Sequence, residues 1–318
     1  MSGLLLAATA AGLTTGVSAV ASAGPTTTEV RTSAAASGVP LAGRSGAVGA
    51  GSLTRARRPE LPQGGRTIFP GHVLVAFYGT ATTPVMGVLG EDTPDRITER
   101  LRAAARPFAR SGQKVQIVYE LIVTIADRTP GSDGDYSHDI AREHVERYLR
   151  AARRNRALLV LDLQPGRSGF LEVAKRWRWA LERPWVGLAL DPEWRMDAGQ
   201  VPAETIGQVR AAEVNRVSRW LQRIAVRHDH PQKLLLLHQF RRDMVIGIEN
   251  VVDRPRLAMV QHVDGFGTQS QKMETYRTVS RPEQFVMGFK LFYDEDTGLM
   301  TPGEVLRIRP RVRFVSYQ

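Results

Sequence analysis

Eight short apolar runs follow one another along the chain after residue 70. They occupy residues 73–78, 115–120, 157–162, 186–191, 233–238, 257–264, 287–293 and 313–317. Such nearly continuous apolar character is typical of strands that are covered on both faces, as in a parallel sheet. Most of the intervening segments are long enough to hold a crossover helix. Eight such units over about 250 residues predict an α/β fold, a (β/α)8 TIM-type barrel.

The helical pattern of this barrel is expected to be incomplete. The sequence ends at Gln318, just after the eighth run, so the eighth helix is predicted to be missing. We expect the segment before Val73 to cover the resulting seam between the last and first strands, because an uncovered strand edge invites pairing with other chains. The crossover over residues 241–253 is short, and a long amphipathic helix is predicted over residues 203–227.

The first 67 residues of the sequence have a different composition. Residues 1–23 are rich in Ala and Leu and end in Ala21-Ser22-Ala23, which predicts a cleaved signal peptide. No basic residue precedes Arg31, so the alternatives are a true start further upstream or a stretch that is merely of low complexity. Residues 24–67 predict a disordered linker rich in Gly, Ala, Ser and Thr, and residues 68–318 predict the barrel domain. The expected location is secreted or associated with the cell envelope, with no transmembrane segment after removal of the signal.

Charge and cysteine content restrict the chemistry. The net charge of +11 favours a polysaccharide or an anionic cell-envelope polymer as partner. No nucleic acid is expected, because the basic residues are dispersed and form no stripe interleaved with aromatic residues. The absence of cysteine excludes disulfides, thiolate metal sites and a cysteine nucleophile.

Acidic residues collect where the predicted strands end. They are Glu120, Asp162, Asp191, Glu193, Asp264, Asp294, Glu295 and Asp296. Parallel barrel strands present all their carboxyl ends at one face, where barrel enzymes have their active sites. The sequence therefore predicts one acidic pocket at that face.

The most specific local pattern is Asp191-Pro192-Glu193-Trp194 after the fourth run. Two carboxyl groups two residues apart on an extended segment point to the same side, so one can raise the pKa of the other. The pattern resembles chitinase-like glycosidases, which end their fourth strand in Asp-x-Glu-aromatic with Glu as the proton donor. Val186 and Ala189 stand where that family has further aspartates.

A looser resemblance concerns the seventh run. Many retaining glycosidases on this fold place a second carboxylate after strand seven, where this chain has the cluster Asp294, Glu295 and Asp296. The resemblance implies that Glu193, Asp191, Asp294 and Glu295 form the catalytic set. A solvated acidic turn that ends at Gly298 is the alternative for residues 293–298.

The predicted function is that of a secreted glycoside hydrolase. The predicted substrate-binding residues are Tyr78, Glu120, Asp162, Gln164, Trp194, His238, Gln239, Asp264 and Tyr293. Neither a metal nor another cofactor is expected, because no His-Glu-x-x-His or His-x-His pattern occurs. The alternatives are a non-catalytic glycan-binding barrel and a metal-dependent hydrolase that uses His238, His262 and Asp264. The whole chain also resembles secreted bacterial proteins of barrel type, a likeness that implies no particular activity.

Overall fold

The structure, a computed structural model, describes residues 58–111 and 113–318. Its strands are β1 (His72–Gly79), β2 (Lys114–Ala126), β3 (Ser137–Asp139), β4 (Leu158–Leu163), β5 (Val186–Leu190), β6 (Val209–Arg210), β7 (Lys233–Gln239), β8 (Val245–Ile246), β9 (Leu257–Val263), β10 (Val286–Leu291) and β11 (Val312–Tyr317). Eight of them form a closed parallel barrel in the order β1-β2-β4-β5-β7-β9-β10-β11, and β11 pairs with β1. The predicted TIM-type barrel is confirmed.

Seven α-helices surround the barrel in the described part of the chain. They are α1 (Pro94–Ala105), α2 (Arg142–Asn155), α3 (Phe170–Arg176), α4 (Arg178–Leu181), α5 (Ala211–Arg227), α6 (Gln269–Val279) and α7 (Pro302–Arg307). This number fits the predicted absence of an eighth helix. Only short 3-10 turns and β8 lie between β7 and β9. The helix predicted over 203–227 begins at Ala211, because residues 209–210 form β6, which pairs with β8.

Alternate strand residues build two separate apolar layers. Leu74, Val118, Val160, Leu236 and Phe314 lie in the barrel interior. Their strand neighbours face outward and pack with the helices in the larger outer layer. Burial on both faces explains why the strands read as continuous apolar runs. It also means that a polar residue at an inward position stands out chemically.

The segment before β1 caps the N-terminal ends of the barrel strands. Leu61 and Ile68 are buried with the interior layer. Arg66 donates hydrogen bonds to Asp229 and to the carbonyl oxygen of His230, and Gln63 donates to the carbonyl oxygen of Val115. The prediction that this segment covers the β11–β1 seam is therefore wrong, since its apolar side chains close the bottom of the barrel instead.

The predicted linker over 24–67 overlaps this cap, since residues 58–67 have a defined position on the barrel. The rest of the linker and the predicted signal peptide lie outside the described residues, so those two expectations stay predictions. Within residues 58–318, apart from Gly112, no helix combines the length and apolar character needed to cross a bilayer.

Candidate active site

A cluster of buried polar residues lies where the barrel interior meets the carboxyl ends of the strands. Its members are Tyr78, Glu120, Asp162, Asp191, His238, His262, Asp264, Lys290 and Ser316, each less than 9% exposed. Each strand contributes a side chain that continues its inward-facing row: Tyr78 follows Leu74 and Ala76 on β1, and His238 follows Leu234 and Leu236 on β7. Parallel pairing then brings these rows to one level, as in the register of Tyr78 with Glu120 and of His238 with His262.

His238 is the central residue of the cluster. Its Nδ1 lies 2.8 Å from Asp264 Oδ2, and its Nε2 lies 3.0 Å from Glu120 Oε1. Burial opposes protonation of His238, but the hydrogen bonds to Asp264 and Glu120 outweigh it and raise the pKa of His238 well above its ordinary value. Burial raises the pKa of both carboxyl groups, but His262 and His238 outweigh it at Glu120 and His238 outweighs it at Asp264, so both pKa values are lowered.

His262 extends this network toward β11. Its Nε2 lies 3.0 Å from the hydroxyl oxygen of Ser316, and its Nδ1 lies 3.5 Å from Glu120 Oε1. Burial lowers the pKa of His262, with a further contribution from the charge on His238. Nδ1 of His262 and Oε2 of Glu120 have no hydrogen-bond partner among the described residues. Buried polar atoms of this kind normally have partners, so these two require an explanation.

Tyr78, Asp162 and Lys290 occupy the other side of the cluster. The hydroxyl of Tyr78 donates to Asp162 Oδ2 at 2.8 Å. Burial and the charge on Glu120 raise the pKa of Asp162, and they outweigh the opposing effects of His238, Tyr78 and Lys290. The ammonium group of Lys290 lies 3.4 Å from the centroid of the Tyr78 ring, close enough for a cation–π interaction. Lys290 therefore supplies positive charge among the buried carboxyl groups.

Asp191 is buried just after β5, and Glu193, two residues later, is partly exposed. Pro192–Trp194 forms a 3-10 turn directly after β5, and Asp191 Oδ1 accepts a hydrogen bond from the backbone N–H of Glu193 at 3.2 Å. Burial and the charge of Asp162 raise the pKa of Asp191 well above its ordinary value. Burial and the charge of Asp264 raise the pKa of Glu193 to about 7. Glu193 is only partly buried, unlike Asp191.

The carboxyl groups of the site thus differ in protonation. The pKa of Glu193 is raised to about 7 and the pKa of Asp191 is raised as well, whereas the pKa values of Asp264 and Glu120 are lowered. A pair of titratable groups whose environments push their pKa values apart can supply a proton and a negative charge to one reaction. This arrangement is suited to general acid–base chemistry.

Two predicted substrate-binding residues lie in the barrel wall instead. Gln239 lies on the outer side of β7, where its amide donates to the carbonyl oxygen of Arg241 and accepts from Gln261. Gln164 accepts a hydrogen bond from the backbone N–H of Ala126. Both side chains are buried, and the amide nitrogen and oxygen of Gln239 both have partners in the protein itself. Gln239 therefore contributes to the barrel wall and not to the cluster.

The acidic turn after β10 does not join the cluster. Asp294 and Glu295 are exposed to solvent. Asp296 is buried as a side chain and pairs with Lys272 at 3.0 Å, and it also accepts hydrogen bonds from the backbone N–H groups of Gly267 and Phe292. Tyr293 is 43% exposed and stacks on Tyr317. The expectation that Asp294 lies in the same pocket as the other acids is therefore wrong, because the chain turns outward after Phe292.

The sequence did not indicate Lys290 and Ser316 as members of the cluster, and it indicated His262 only as a possible metal ligand. Lys290 interrupts the apolar run over 287–293, and Ser316 lies in the run over 313–317. Both occupy inward positions, since they pair with each other in the β10–β11 register. A lysine in an otherwise apolar strand was the available signal. His262 entered only as part of the metal alternative.

Comparisons with known proteins add no assignment: no protein-family model matches the chain, and no curated protein was found to be similar to it.

Proposed function

We propose that this protein is a glycoside hydrolase in which Glu193 protonates the leaving oxygen of a glycosidic bond. The observation that carries the proposal is the position of Glu193 at the solvent side of the buried cluster. Its carboxyl group has a pKa of about 7, raised by burial and by the charge of Asp264. It makes no hydrogen bond to the described residues. A proton donor that works near neutral pH needs these properties.

Asp264 is the second carboxylate of the proposed reaction. One of its oxygens is held by His238 at 2.8 Å, and the other, Oδ1, has no partner in the described ranges. As Glu193 transfers its proton, the bond between the anomeric carbon and the leaving oxygen breaks. Asp264 either attacks the anomeric carbon or takes a proton from the water that does so. Asp264 replaces Asp294 and Glu295 in this role, because both of those side chains face solvent.

Asp191 positions the acid. Its carboxyl oxygen holds the backbone N–H of Glu193, and its buried side chain lies next to the reacting groups without reaching solvent. Asp191, His238 and Asp264 each place a polar atom within 4.8 Å of the other two. The Asp-x-Glu pattern therefore functions as a proton donor with a supporting carboxyl group.

Exposed aromatic rings around this end of the barrel favour a sugar polymer as substrate. Phe266 is 52% exposed two residues after Asp264, and Tyr293 is 43% exposed after β10. Trp194 is partly exposed beside Glu193. Aromatic faces bury the apolar faces of sugar rings at little conformational cost. With the net charge of +11, these rings favour a polysaccharide of an anionic cell envelope, which agrees with the proposed secretion.

The decisive experiment is hydrolysis of a panel of envelope and environmental polysaccharides by wild-type protein and by Glu193→Gln. We expect the variant to lose about 10²–10⁴-fold in kcat while it still binds the substrate, because the amide cannot deliver a proton. Wild-type kcat should fall above pH 7 as Glu193 ionises. Glu295→Gln, which changes an exposed carboxyl group of the same type, is the matched control and should retain activity.

Two results would overturn the proposal. Wild-type protein that binds a polysaccharide without cleaving it would identify a glycan-binding barrel. Full activity of Glu193→Gln would exclude Glu193 as the proton donor.

A further inference from the structure

Acid–base catalysis at Glu193 gives no role to the buried carboxyl group of Glu120 and the two histidines beside it. Glu120, His238 and His262 are completely buried, and they lie on β2, β7 and β9. One potential ligand atom from each residue lies within 4.8 Å of the other two. We propose that these three side chains form a binding site for a divalent transition metal, with Zn²⁺ as the ion that fits best.

The distances match those expected around a small ion. With bonds of about 2.0–2.1 Å, two ligand atoms of a tetrahedral zinc site lie roughly 3.3 Å apart. Glu120 Oε1 lies 3.0 Å from His238 Nε2 and 3.5 Å from His262 Nδ1. The two imidazole rings are tilted by 58° with their centroids 4.7 Å apart, so they converge on the carboxylate instead of stacking. Two histidines and one glutamate are a known ligand set for zinc with an open fourth position.

The outer hydrogen bonds of both histidines turn the second nitrogen of each ring toward Glu120. Asp264 holds Nδ1 of His238, so Nε2 faces Glu120. Ser316 holds Nε2 of His262, so Nδ1 faces Glu120. Metal-binding histidines usually have such a partner on the second nitrogen, which fixes the ring and its tautomer. Here one partner is a carboxylate and the other a hydroxyl.

Unpaired atoms supply an independent indication of a ligand. Nδ1 of His262 and Oε2 of Glu120 are fully buried and have no hydrogen-bond partner within the described chain. Leaving a buried polar group unpaired costs about 1–3 kcal/mol. A cation held by Glu120 and the two imidazoles would give Nδ1 of His262 its partner, and a carboxylate that binds through both oxygens would also satisfy Oε2 of Glu120. The proton now shared between His238 Nε2 and Glu120 would leave to solvent when the ion binds.

The surrounding charges also suit a divalent ion. Asp264 lies in the same buried cluster as Glu120, so two carboxylates can balance the two positive charges. A second set, Asp191, His238 and Asp264, has similar spacing. The first set is favoured because it contains a second imidazole with a free nitrogen, whereas Asp191 Oδ1 is already bonded to the backbone of Glu193.

Metal binding is tested with purified full-length protein that has been treated with a chelator and then titrated with Zn²⁺ or Co²⁺ alone. We expect one ion per chain, a visible Co²⁺ absorption typical of four-coordinate cobalt, and a Tm that rises by roughly 5–10 °C at 100-fold excess over Kd. His262→Gln should remove most of the affinity. Ser316→Ala should weaken it by about 10–100-fold through loss of the outer hydrogen bond.

Matched controls locate the site. His230→Gln changes another buried histidine, at the N-terminal end of the barrel, and should bind the metal as the wild type does. Asp191→Asn should also bind normally, and a loss of affinity in this variant would overturn the proposal in favour of the second set. Absence of Zn²⁺ and Co²⁺ binding by the wild type would overturn it outright and leave His238 as a charged bridge between two carboxylates.

The metal proposal and the glycosidase proposal fail separately. Glu193→Gln should abolish hydrolysis while the metal affinity stays unchanged, because Glu193 is not a ligand. Hydrolysis that persists without bound metal would leave the Glu193 mechanism intact, and metal binding is measured without any substrate.

Discussion

Replacing Glu193 with glutamine should stabilise the protein at alkaline pH, although it removes the proposed proton donor. The pKa of Glu193 is about 7 in the folded protein, against an ordinary value of 4.5. Below pH 4 the carboxyl group is protonated in both the folded and the unfolded chain, so the substitution should change stability little. Between pH 4.5 and 7 the unfolded chain loses the proton while the folded chain keeps it. The stability linked to this proton is therefore lost as the pH rises, and the loss is complete above pH 7.

The size of the effect follows from the two pKa values. A difference of about 2.5 between them corresponds to ~3 kcal/mol, since one pKa unit is about 1.4 kcal/mol. This is an upper limit, because Glu193 keeps some contact with solvent that screens the charge of Asp264. Glu193→Gln should therefore match the wild type at pH 4 and exceed its free energy of unfolding by up to ~3 kcal/mol at pH 8.

Urea denaturation followed by tryptophan fluorescence measures this difference, and the five tryptophans supply the signal. The experiment is run in a chelator, so that a bound cation does not add to the local charge. Glu295→Gln is the control, because its exposed carboxyl group should give a small change that is the same at both pH values. A stability difference between wild type and Glu193→Gln that does not grow from pH 4 to pH 8 would refute the electrostatic description of the site.

Three further predictions concern the barrel itself. Lys233 is buried and its pKa is lowered to about 7, so between pH 7 and 10 the unfolded chain binds a proton that the folded chain does not. The free energy of unfolding of the wild type should therefore rise by about 1.4 kcal/mol per pH unit over this range. Urea denaturation at pH 7 and 9 should show no such rise for Lys233→Met. Tyr78→Phe leaves Asp162 without its hydrogen-bond donor and should cost about 1–3 kcal/mol in urea at pH 7, so an unchanged midpoint would argue against the bond. Gly187→Ala places a methyl group 2.7 Å from the carbonyl oxygen of Leu234 and should lower the free energy of unfolding by about 1–3 kcal/mol. Gly71→Ala is the control, because the space around Gly71 is open. Equal Tm values for the two variants would contradict the close strand contact.

The strands and the position of the acids were predictable because both follow from simple periodicity. A strand buried on both faces needs a continuous apolar run, and a parallel barrel places all carboxyl ends together, so Glu120, Asp162, Asp191 and Asp264 could be assigned to one cluster. The bonds inside the cluster could not be predicted, because they depend on register. His238 reaches Glu120, which is 118 residues earlier in the chain, and no local pattern records that contact.

The wrong expectations also have local causes. Asp294 and Glu295 follow the barrel strand β10, but the chain turns outward at Phe292. An ion pair between Asp296 and Lys272 stabilises this turn. Sequence composition alone could not distinguish this turn from an acidic pocket. Leu61 falls within the predicted linker because an isolated apolar residue among Gly and Pro carries no period, although it closes the barrel together with Ile68.

The cap over residues 58–70 determines at which end of the barrel a fusion partner or solid support can be attached without blocking the site. Arg58 contacts Asp229, which precedes β7, so the described chain begins at the end of the barrel opposite Glu193. At the other pole, the backbone of Gln318 is hydrogen-bonded to Leu291 and Tyr293, beside the exposed ring of Tyr293. A fusion partner or solid support attached upstream of residue 58 should therefore leave a large polymer free access to the carboxyl ends of the strands, whereas the same attachment after residue 318 would obstruct it.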